Sequence, residues 1–416
     1  MRKVFVFLLS FIMAVSFLCV NVSSATIVKE NDEIELPVSF TGISENEKEL
    51  SKLPVAIKAK SALLMDVATG KVLMEYNADT KLYPASVTKV MTMLLVAEAI
   101  DSNKISLEDK VFCSENAASK GGSQIWLEPG ETMTVDELLR ATAIGSANDA
   151  ATLLGEYVSG SEEAFISLMN ERAKELGMKN THFLNATGLD DTAEDHLTTA
   201  RDIAIMSSEL LKHEFIQKYT TVWMDSLRNG ETELVNTNKL VRFYEGTTGL
   251  KTGTTAKAGC CVSASAKRDN LHLVAVVMGS ANSNDRFNTA KAMLNWGFSN
   301  YTLYSPKIDK KLITDVPVIG GLVDAVAVEV PKLSPMLIKK GEEDKIRVDV
   351  RLYENVEAPV LEKQTLGTIT VFLGEQKVNE YKLISKKQIE KLTVFSAMIK
   401  IFNFVSNGDV SYPFVD

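Results

Sequence analysis

The sequence contains few of the residues that form metal centres, redox centres or disulfide frameworks. It has four cysteines and four histidines in 416 residues. No C-x-x-C pair occurs, a phosphate-cradling glycine-rich loop is missing, and the histidines lack the short spacing of metal ligands. Those histidines are His182, His196, His213 and His272. We therefore expect no metal site, no cofactor and no structural disulfide.

An excess of basic residues is missing as well. Lys and Arg total 45 against 54 Asp and Glu, so the formal net charge is −9. The field of such an acidic chain disfavours binding to nucleic acid. With 45% hydrophobic and 24% charged residues, the composition is that of a globular protein, which excludes the disordered and low-complexity classes. The length favours two to three domains.

Residues 1–25 have the pattern of a secretory signal peptide. Two basic residues precede an apolar stretch at 4–20, and small residues form a cleavage site that ends at Ala25. An uncleaved membrane anchor is the alternative interpretation. Residues 26–54 are polar and acidic, which is typical of a solvated leader or linker.

The C-terminal segment, residues 386–416, is locally basic and amphipathic. On a helical wheel, one side carries the apolar residues Leu392, Phe395, Met398, Ile399, Phe402 and Val405. Lys391 and Lys400 leave too short an apolar run to span a bilayer. We therefore expect a helix that lies in the plane of a membrane surface. Docking of this helix on its own domain is the alternative.

Periodicity divides the rest of the chain into two domains. Within residues 55–300, strands are expected at both ends and helices between them. The strands are predicted at 62–67, 72–76, 250–253, 260–266 and 271–279, and the helices at 86–100, 134–145, 150–158, 164–176, 199–212 and 285–296. This order indicates an α/β domain whose terminal segments share an antiparallel sheet. Residues 301–385 predict a small all-β domain, a sandwich, with strands at 316–330, 345–352, 366–373 and 378–384.

A serine and a lysine lie one helical turn apart at the start of the first helix. Ser86 and Lys89 form the only S-x-x-K in the chain, and their side chains share a face. A neutral amine can take the proton of a neighbouring hydroxyl and so activate it as a nucleophile. Burial and a second cation would keep the amine neutral, and the helix start supplies N–H groups for an oxyanion. Taken alone, an N-cap serine beside a surface lysine is the more common explanation.

Two further motifs favour the catalytic interpretation. Ser146 and Asn148 form an S-x-N that interrupts a helical stretch, so their side chains are expected to project from a loop into a cleft. Lys251, Thr252 and Gly253 form a K-T-G at the start of a predicted strand, where the glycine lets a substrate backbone approach closely. Each tripeptide is weak by itself, but the ordered set is specific.

The order S-x-x-K, S-x-N, K-T-G resembles that of the penicillin-binding serine acyltransferases. In organisation the chain is most similar to the low-molecular-mass class C penicillin-binding proteins, the serine-type D-alanyl-D-alanine carboxypeptidases. The resemblance covers nearly the whole chain. It implies a β-lactamase/transpeptidase-like catalytic domain, a small β domain and a C-terminal membrane anchor. It also implies secretion across a bacterial cytoplasmic membrane and peripheral attachment to its outer side.

The resemblance assigns the chemical step to the first two motifs. Ser86 is the implied nucleophile and Lys89 its general base. Ser146 would relay a proton to the leaving amine, and Asn148 would hold the substrate amide.

Substrate binding is assigned to the third motif and its surroundings. Lys251 and Thr252 would face the terminal carboxylate of the substrate. The backbone N–H groups of Ser86 and Thr254 would form the oxyanion hole, and Thr254 stands where the family often has histidine. Arg286 occupies the place of a carboxylate-binding arginine.

The implied reaction is removal of the terminal D-alanine from peptidoglycan stem peptides through an acyl-enzyme on Ser86. β-Lactams would acylate the same serine. A β-lactamase would need a glutamate in an E-x-x-L-N segment, and the nearest match, Thr181–Asn185, has threonine there. A Ser-His-Asp hydrolase lacks its G-x-S-x-G elbow. A non-catalytic wall-binding protein would not need an activated serine.

Overall fold

A computed structural model describes residues 53–190 and 194–406. The predicted signal peptide (1–25) and all but the last two residues of the predicted acidic leader (26–54) lie outside the described residues. The helices are α1 (Lys89–Asp101), α2 (Glu115–Ala118), α3 (Val135–Arg140), α4 (Asn148–Ser159), α5 (Glu162–Glu175), α6 (Ala200–Leu210), α7 (Gln217–Thr220), α8 (Leu240–Phe243), α9 (Ser283–Asn300) and α10 (Val394–Ser406).

The strands alternate with these helices and then dominate the C-terminal part. They are β1 (Ser61–Asp66), β2 (Val72–Tyr76), β3 (Lys110–Phe112), β4 (Thr132–Thr134), β5 (Met224–Leu227), β6 (Thr232–Val235), β7 (Thr247–Thr255), β8 (Gly259–Arg268), β9 (Leu271–Ser280), β10 (Tyr301–Tyr304), β11 (Val316–Ile319), β12 (Ala325–Val326), β13 (Val328–Glu329), β14 (Met336–Lys339), β15 (Ile346–Leu352), β16 (Val356–Glu357), β17 (Thr365–Leu373) and β18 (Gln376–Ser385). The predicted order of an α/β domain followed by a β-rich domain is confirmed.

A five-stranded antiparallel sheet forms the centre of the first domain, in the order β2-β1-β9-β8-β7. All six residues of β1 are buried, and β1 lies between β2 and β9. The predicted sharing of one sheet by the two ends of the domain is therefore confirmed. Strand β7, which carries the K-T-G motif, is at the edge of the sheet.

The sheet is covered by helices on both faces because apolar residues on its strands alternate between two hydrophobic clusters. Leu63 and Val274 belong to one cluster, whereas Leu64 and Leu273 belong to the other. On the first face α6 packs on β1 and β9, and α1 packs against α4 and α6. On the second face α9 packs on β8 and β9. Helix α1 is buried at every residue from Lys89 to Ala97, so it lies inside the helical layer.

The helix predicted at 134–145 begins as expected and ends early. Thr134 and Glu137 form the predicted capping box, in which each side chain accepts a hydrogen bond from the other residue's backbone N–H. Helix α3 ends at Arg140, and Ala141–Gly145 form a single π-helical segment. Such segments are frequent at functional sites, and this one ends directly before Ser146.

Two short antiparallel strand pairs were not predicted from the sequence. Strand β3 pairs with β4, and β5 pairs with β6. Strands of three or four residues are too short to show a period in the sequence.

The β-rich domain begins where β10 pairs with β14. Its other strands form a three-stranded sheet, β12-β11-β16, and a four-stranded sheet, β13-β18-β17-β15. One apolar cluster joins the three-stranded sheet to Leu366 of β17, and a second joins the four-stranded sheet to Met336 and Ile338 of β14. Val328 and Leu352 pack against both clusters, as expected of a sandwich. The strand predicted at 316–330 is broken into three, β11, β12 and β13, and the first break follows a turn at Gly320, where φ is +68°.

The C-terminal helix is shorter than the predicted amphipathic segment. Residues 386–392 belong to the edge of the β-rich domain, where Ile389 bridges to Val360 and the N–H of Leu392 donates to the Gly320 carbonyl at 2.8 Å. Helix α10 begins only at Val394, after a side-chain cap by Thr393. Among the helices of the described residues, none has the length and apolarity needed to cross a membrane.

Candidate active site

Ser86 lies in a 3₁₀ turn, Ala85–Thr88, that leads directly into α1. Ala85 has a φ of +48°, which is uncommon for a residue with a side chain. Two glycines make room for this turn. A Cβ on Gly188 would lie 1.8 Å from the Ala85 carbonyl oxygen, and one on Gly253 would lie 2.8 Å from the Ser86 nitrogen. The serine is therefore held between a loop and the edge strand β7.

The side chain of Lys89 is completely buried and makes three polar contacts. Its Nζ lies 3.0 Å from Ser86 Oγ, 2.5 Å from Asn148 Oδ1 and 3.0 Å from the Thr187 carbonyl oxygen. Burial, and next the positive charge of Lys251, hold the pKa of Lys89 well below its ordinary value, against the opposing charge of Asp149. The structure thus brings Ser86, Lys89 and Asn148 together.

These contacts determine where the lone pair of a neutral Lys89 points. The Asn148 oxygen and the Thr187 carbonyl can only accept hydrogen bonds, so each keeps one of the two remaining N–H groups. The lone pair then faces Ser86 Oγ, which can donate its proton. This is the geometry of a general base beside a nucleophile.

Asn148 is fixed by contacts on both sides of its amide. Its Nδ2 donates to the Gly121 carbonyl at 2.6 Å, which directs Oδ1 towards Lys89. Ser146, two residues earlier, has a φ of +63° and is almost fully buried. Its hydroxyl makes no hydrogen bond to another described residue. The S-x-N motif therefore does lie at a bend beside the lysine, as its position between helices predicts.

The K-T-G residues form the opposite wall of the site. Lys251 is buried, its Nζ donates to the Thr252 carbonyl at 3.1 Å, and burial together with the charge of Arg286 lowers its pKa to about 7. Thr252 Oγ1 donates to Thr237 Oγ1 at 2.7 Å. Thr237 follows the β5–β6 hairpin, and sequence reasoning missed it because it belongs to no motif.

Arg286 lies beneath the end of β7 and is 7% exposed. Its Nη1 donates to the carbonyls of Gly253 and Cys261 and to Thr254 Oγ1, at 3.0, 3.1 and 3.0 Å. The Thr254 side chain is exposed. The guanidinium therefore orients the strand and contributes positive charge there. A direct bond from Arg286 to a substrate carboxylate stays a prediction.

The loop at residues 184–190 borders the site next to Lys89 and was not predicted. Asn185 Oδ1 accepts hydrogen bonds from the backbone N–H groups of Thr187 and Gly188, at 3.1 and 2.7 Å. Thr92 Oγ1, on α1, donates to the Ala186 carbonyl at 2.7 Å. Asn185 and Gly188 are turn-forming residues three positions apart, and that is the signal from which an ordered loop could have been inferred.

His196 ties the same loop to the nucleophile's turn. Its Nδ1 accepts the Leu184 N–H at 3.1 Å, so the proton lies on Nε2, which donates to Thr88 Oγ1 at 2.9 Å. Burial lowers the pKa of His196 to about 4, so the ring is neutral near pH 7. This histidine therefore acts as a structural donor and acceptor.

Comparison with known proteins agrees with this geometry. Residues 46–282 match the family model described as D-alanyl-D-alanine carboxypeptidase, and residues 298–391 match that of the penicillin-binding protein 5 C-terminal domain. The D-alanyl-D-alanine carboxypeptidase DacF of Bacillus subtilis is 43% identical over 341 residues, which cover 81% of this chain and 87% of that protein.

Solved structures agree as well. Penicillin-binding protein 5 from Haemophilus influenzae superposes with a TM-score of 0.71 and 29% identity over 82% of this chain and 99% of that one. Penicillin-binding protein D2 from Listeria monocytogenes, solved in an ampicillin-bound form, gives 0.54 and 31% over 59% of this chain and 100% of that one.

A serine on a tight turn, a buried lysine within hydrogen-bond distance and a K-T-G edge strand define an enzyme of the serine-peptidase class that works through an acyl-enzyme. Within that class, the chain belongs to the D-alanyl-D-alanine carboxypeptidase family. The prediction of a serine-type peptidase is thereby confirmed.

Proposed function

We propose that the chain removes the terminal D-alanine from peptidoglycan stem peptides through an acyl-enzyme on Ser86, and that β-lactams acylate the same residue. The observation on which this proposal rests is that Lys89 Nζ lies 3.0 Å from Ser86 Oγ. The other two contacts of Nζ are to hydrogen-bond acceptors, Asn148 Oδ1 and the Thr187 carbonyl oxygen. The family of the chain and the ampicillin-bound relative support the same activity.

In the first step Lys89 takes the proton of Ser86 Oγ, which attacks the carbonyl carbon between the two D-alanines. The oxyanion is held by the backbone N–H groups of Ser86 and Thr254. Gly253 supports this role, because the missing Cβ lets β7 approach the Ser86 nitrogen. The C–N bond then breaks, and Ser146 relays a proton to the amine of the departing D-alanine.

In the second step water attacks the ester on Ser86 and releases the shortened peptide. Lys89 again serves as the base. Lys251 and Thr252 hold the terminal carboxylate in the first step, until it leaves with the D-alanine, and Asn148 holds the substrate amide. The positive charge of Arg286 adds to the local attraction of an anion, in a chain whose net charge is negative.

The test is to incubate the protein with a peptide ending in D-Ala-D-Ala and to measure free D-alanine. In parallel, penicillin-treated protein is digested and the adduct is located by mass spectrometry. We expect D-alanine release and an adduct on the peptide that contains Ser86, and heat-denatured protein provides the control. Absence of release, or an adduct confined to another serine, would contradict the proposal.

We also propose that the chain is exported by its N-terminal signal and attaches to the membrane surface through α10. Apolar side chains are highly exposed around this helix, among them Val394, Phe395, Met398 and Ile401. Such a helix, together with neighbouring lysines, is suited to the membrane interface.

Truncation after Thr393 tests the attachment and leaves the β-rich domain complete, because residues 386–392 pair with its edge. We expect the full chain to sediment with phosphatidylglycerol vesicles and the truncated chain to stay in solution. A second variant, with Phe395 and Met398 both replaced by serine, keeps the helix length and should also lose binding. Co-sedimentation of both variants at the level of the parent would refute the attachment.

A further inference from the structure

Trp126 is an exposed aromatic residue in an unusual backbone conformation. It is 75% exposed, whereas its neighbours Ile125 and Leu127 are 3% and 4% exposed. Its φ is +59°, in the left-handed region that favours glycine or asparagine. The indole has no ring contact or hydrogen bond to any other described residue. The fold therefore turns the one tryptophan of an Ile-Trp-Leu run outward, at the cost of both strain and exposure.

This conformation is imposed by several contacts. The buried carboxylate of Asp149 accepts hydrogen bonds from the N–H groups of Ile125 and Leu127, on either side of the tryptophan. Arg228 donates to the Ile125 carbonyl at 2.8 Å and pairs with Glu131 at 2.7 Å. Strain maintained by the surrounding structure is concentrated at functional sites in proteins.

The loop that carries Trp126 is bound directly to the catalytic centre. The N–H of Asn148 donates to the Ser123 carbonyl at 2.7 Å, and Asn148 Nδ2 donates to the Gly121 carbonyl. Asn148 also contacts Lys89, and Asp149, which orients Trp126, is the next residue. The backbone at Trp126 is therefore held in position relative to the catalytic residues.

The stem peptide of the proposed substrate extends well beyond the bond that is cut. Trp126 lies three positions after Ser123, so their Cα atoms are at most about 11 Å apart. In a stem peptide, four residues precede the bond that is cut, and they span about 13 Å when extended. The sugar-bearing end of the peptide therefore lies outside the pocket of Ser86, and Trp126 is an exposed residue on a loop bound to Asn148 of that pocket.

We propose that Trp126 is a stacking platform for a sugar ring of the glycan strand that carries the stem peptide. This inference rests on the proposed function, because it names the remaining part of the same substrate. The C–H face of a sugar packs on an aromatic ring, while its hydroxyls need water or polar neighbours. Ser123 and Glu128 beside Trp126 are exposed and polar, which suits a sugar better than an apolar protein surface.

The experiment compares D-alanine release from a free pentapeptide and from the same pentapeptide attached to its disaccharide. We expect the parent to have a kcat/KM about tenfold higher for the disaccharide form. In Trp126→Asn the ratio of the two values should fall to about one, and Trp126→Phe should retain most of it. Asparagine tolerates the left-handed conformation, so the unfolding midpoint of Trp126→Asn should equal or exceed that of the parent.

Phe112→Asn is the matched control, because Phe112 is 72% exposed on the nearby strand β3 and should leave the ratio unchanged. A parent that releases D-alanine from the free peptide but shows no preference for the disaccharide form would overturn the platform and leave the proposed function intact. Retention of the full ratio in Trp126→Asn would do the same. If the parent releases no D-alanine from either substrate, both the stacking platform and the proposed function are overturned.

Discussion

Replacement of Lys89 by methionine should slow the acylation of Ser86 by about 10²- to 10⁴-fold, the usual effect of removing a general base. Methionine has a similar length and fits a buried site, but it cannot accept a proton. Ser86 Oγ would then have only water to take its proton. The measurement is the rate of labelling by a fluorescent penicillin in single-turnover conditions.

The control for this prediction is Lys71→Met, which removes an exposed lysine from the turn between β1 and β2 and should label at the parental rate. The pH dependence adds a second criterion. In the parent, the rate should fall as the pH is lowered through the depressed pKa of Lys89, because the protonated amine has no lone pair. That decline should be missing in Lys89→Met. A variant that labels as fast as the parent would show that Lys89 is not the base.

Above neutral pH a different group limits the reaction. Lys251 loses its positive charge as the pH passes its pKa of about 7, so the KM for a peptide with a terminal carboxylate should rise there. The two lysines therefore limit the pH range of activity from opposite sides. Lys89 sets the acid limit and Lys251 the alkaline limit.

Gly188→Ala should destabilise the catalytic domain by about 3–4 kcal/mol, in the range of severe single substitutions. The added Cβ would lie 1.8 Å from the carbonyl oxygen of Ala85, and the residue has a φ of +84°. Either the loop or the turn of Ser86 must move, and movement of the loop also withdraws the Thr187 carbonyl from Lys89. Urea denaturation measures the first effect and penicillin labelling the second.

Gly177→Ala separates the effect of backbone strain at a positive φ from the effect of a steric clash of the added Cβ. Gly177 has a φ of +75°, but no atom lies within 4 Å of an added Cβ. It follows the end of α5, and alanine there should lower the free energy of unfolding by only about 1 kcal/mol, with normal labelling. Equal losses of stability in the two variants would show that the close packing of Gly188 on Ala85 has no energetic consequence.

The sequence predicted the parts of the site that depend on side-chain identity and local spacing. The placement of Ser86 and Lys89 on one face follows from helical geometry, and the burial of Lys89 follows from the apolar residues of its helix. The Thr134–Glu137 capping box could also be read directly. In each case the physical cause is local in the chain.

The parts that escaped prediction depend on tertiary contacts or on the backbone. The Thr187 carbonyl that contacts Lys89 could belong to any residue type, so no motif marks it. The left-handed Ser146 follows a π-helical segment that has no sequence signature here. The contacts of Arg286 with Gly253 and Cys261 also escaped prediction, because they depend on the packing of α9 against β8, far away in the sequence.

The burial of Lys89 at the start of α1 links the stability of the fold to its activity. In the unfolded chain this lysine binds a proton up to its ordinary pKa of 10.5, whereas in the folded chain it releases the proton at a much lower pH. Between these two pKa values the unfolded state binds more protons than the folded state. The contribution of Lys89 to the free energy of unfolding therefore increases as the pH rises. Lys251 acts in the same direction. The catalytic reaction therefore runs at a pH below the one at which the two lysines destabilise the domain least. Burial of the hydrophobic core has to offset the energetic cost of keeping Lys89 neutral and out of water.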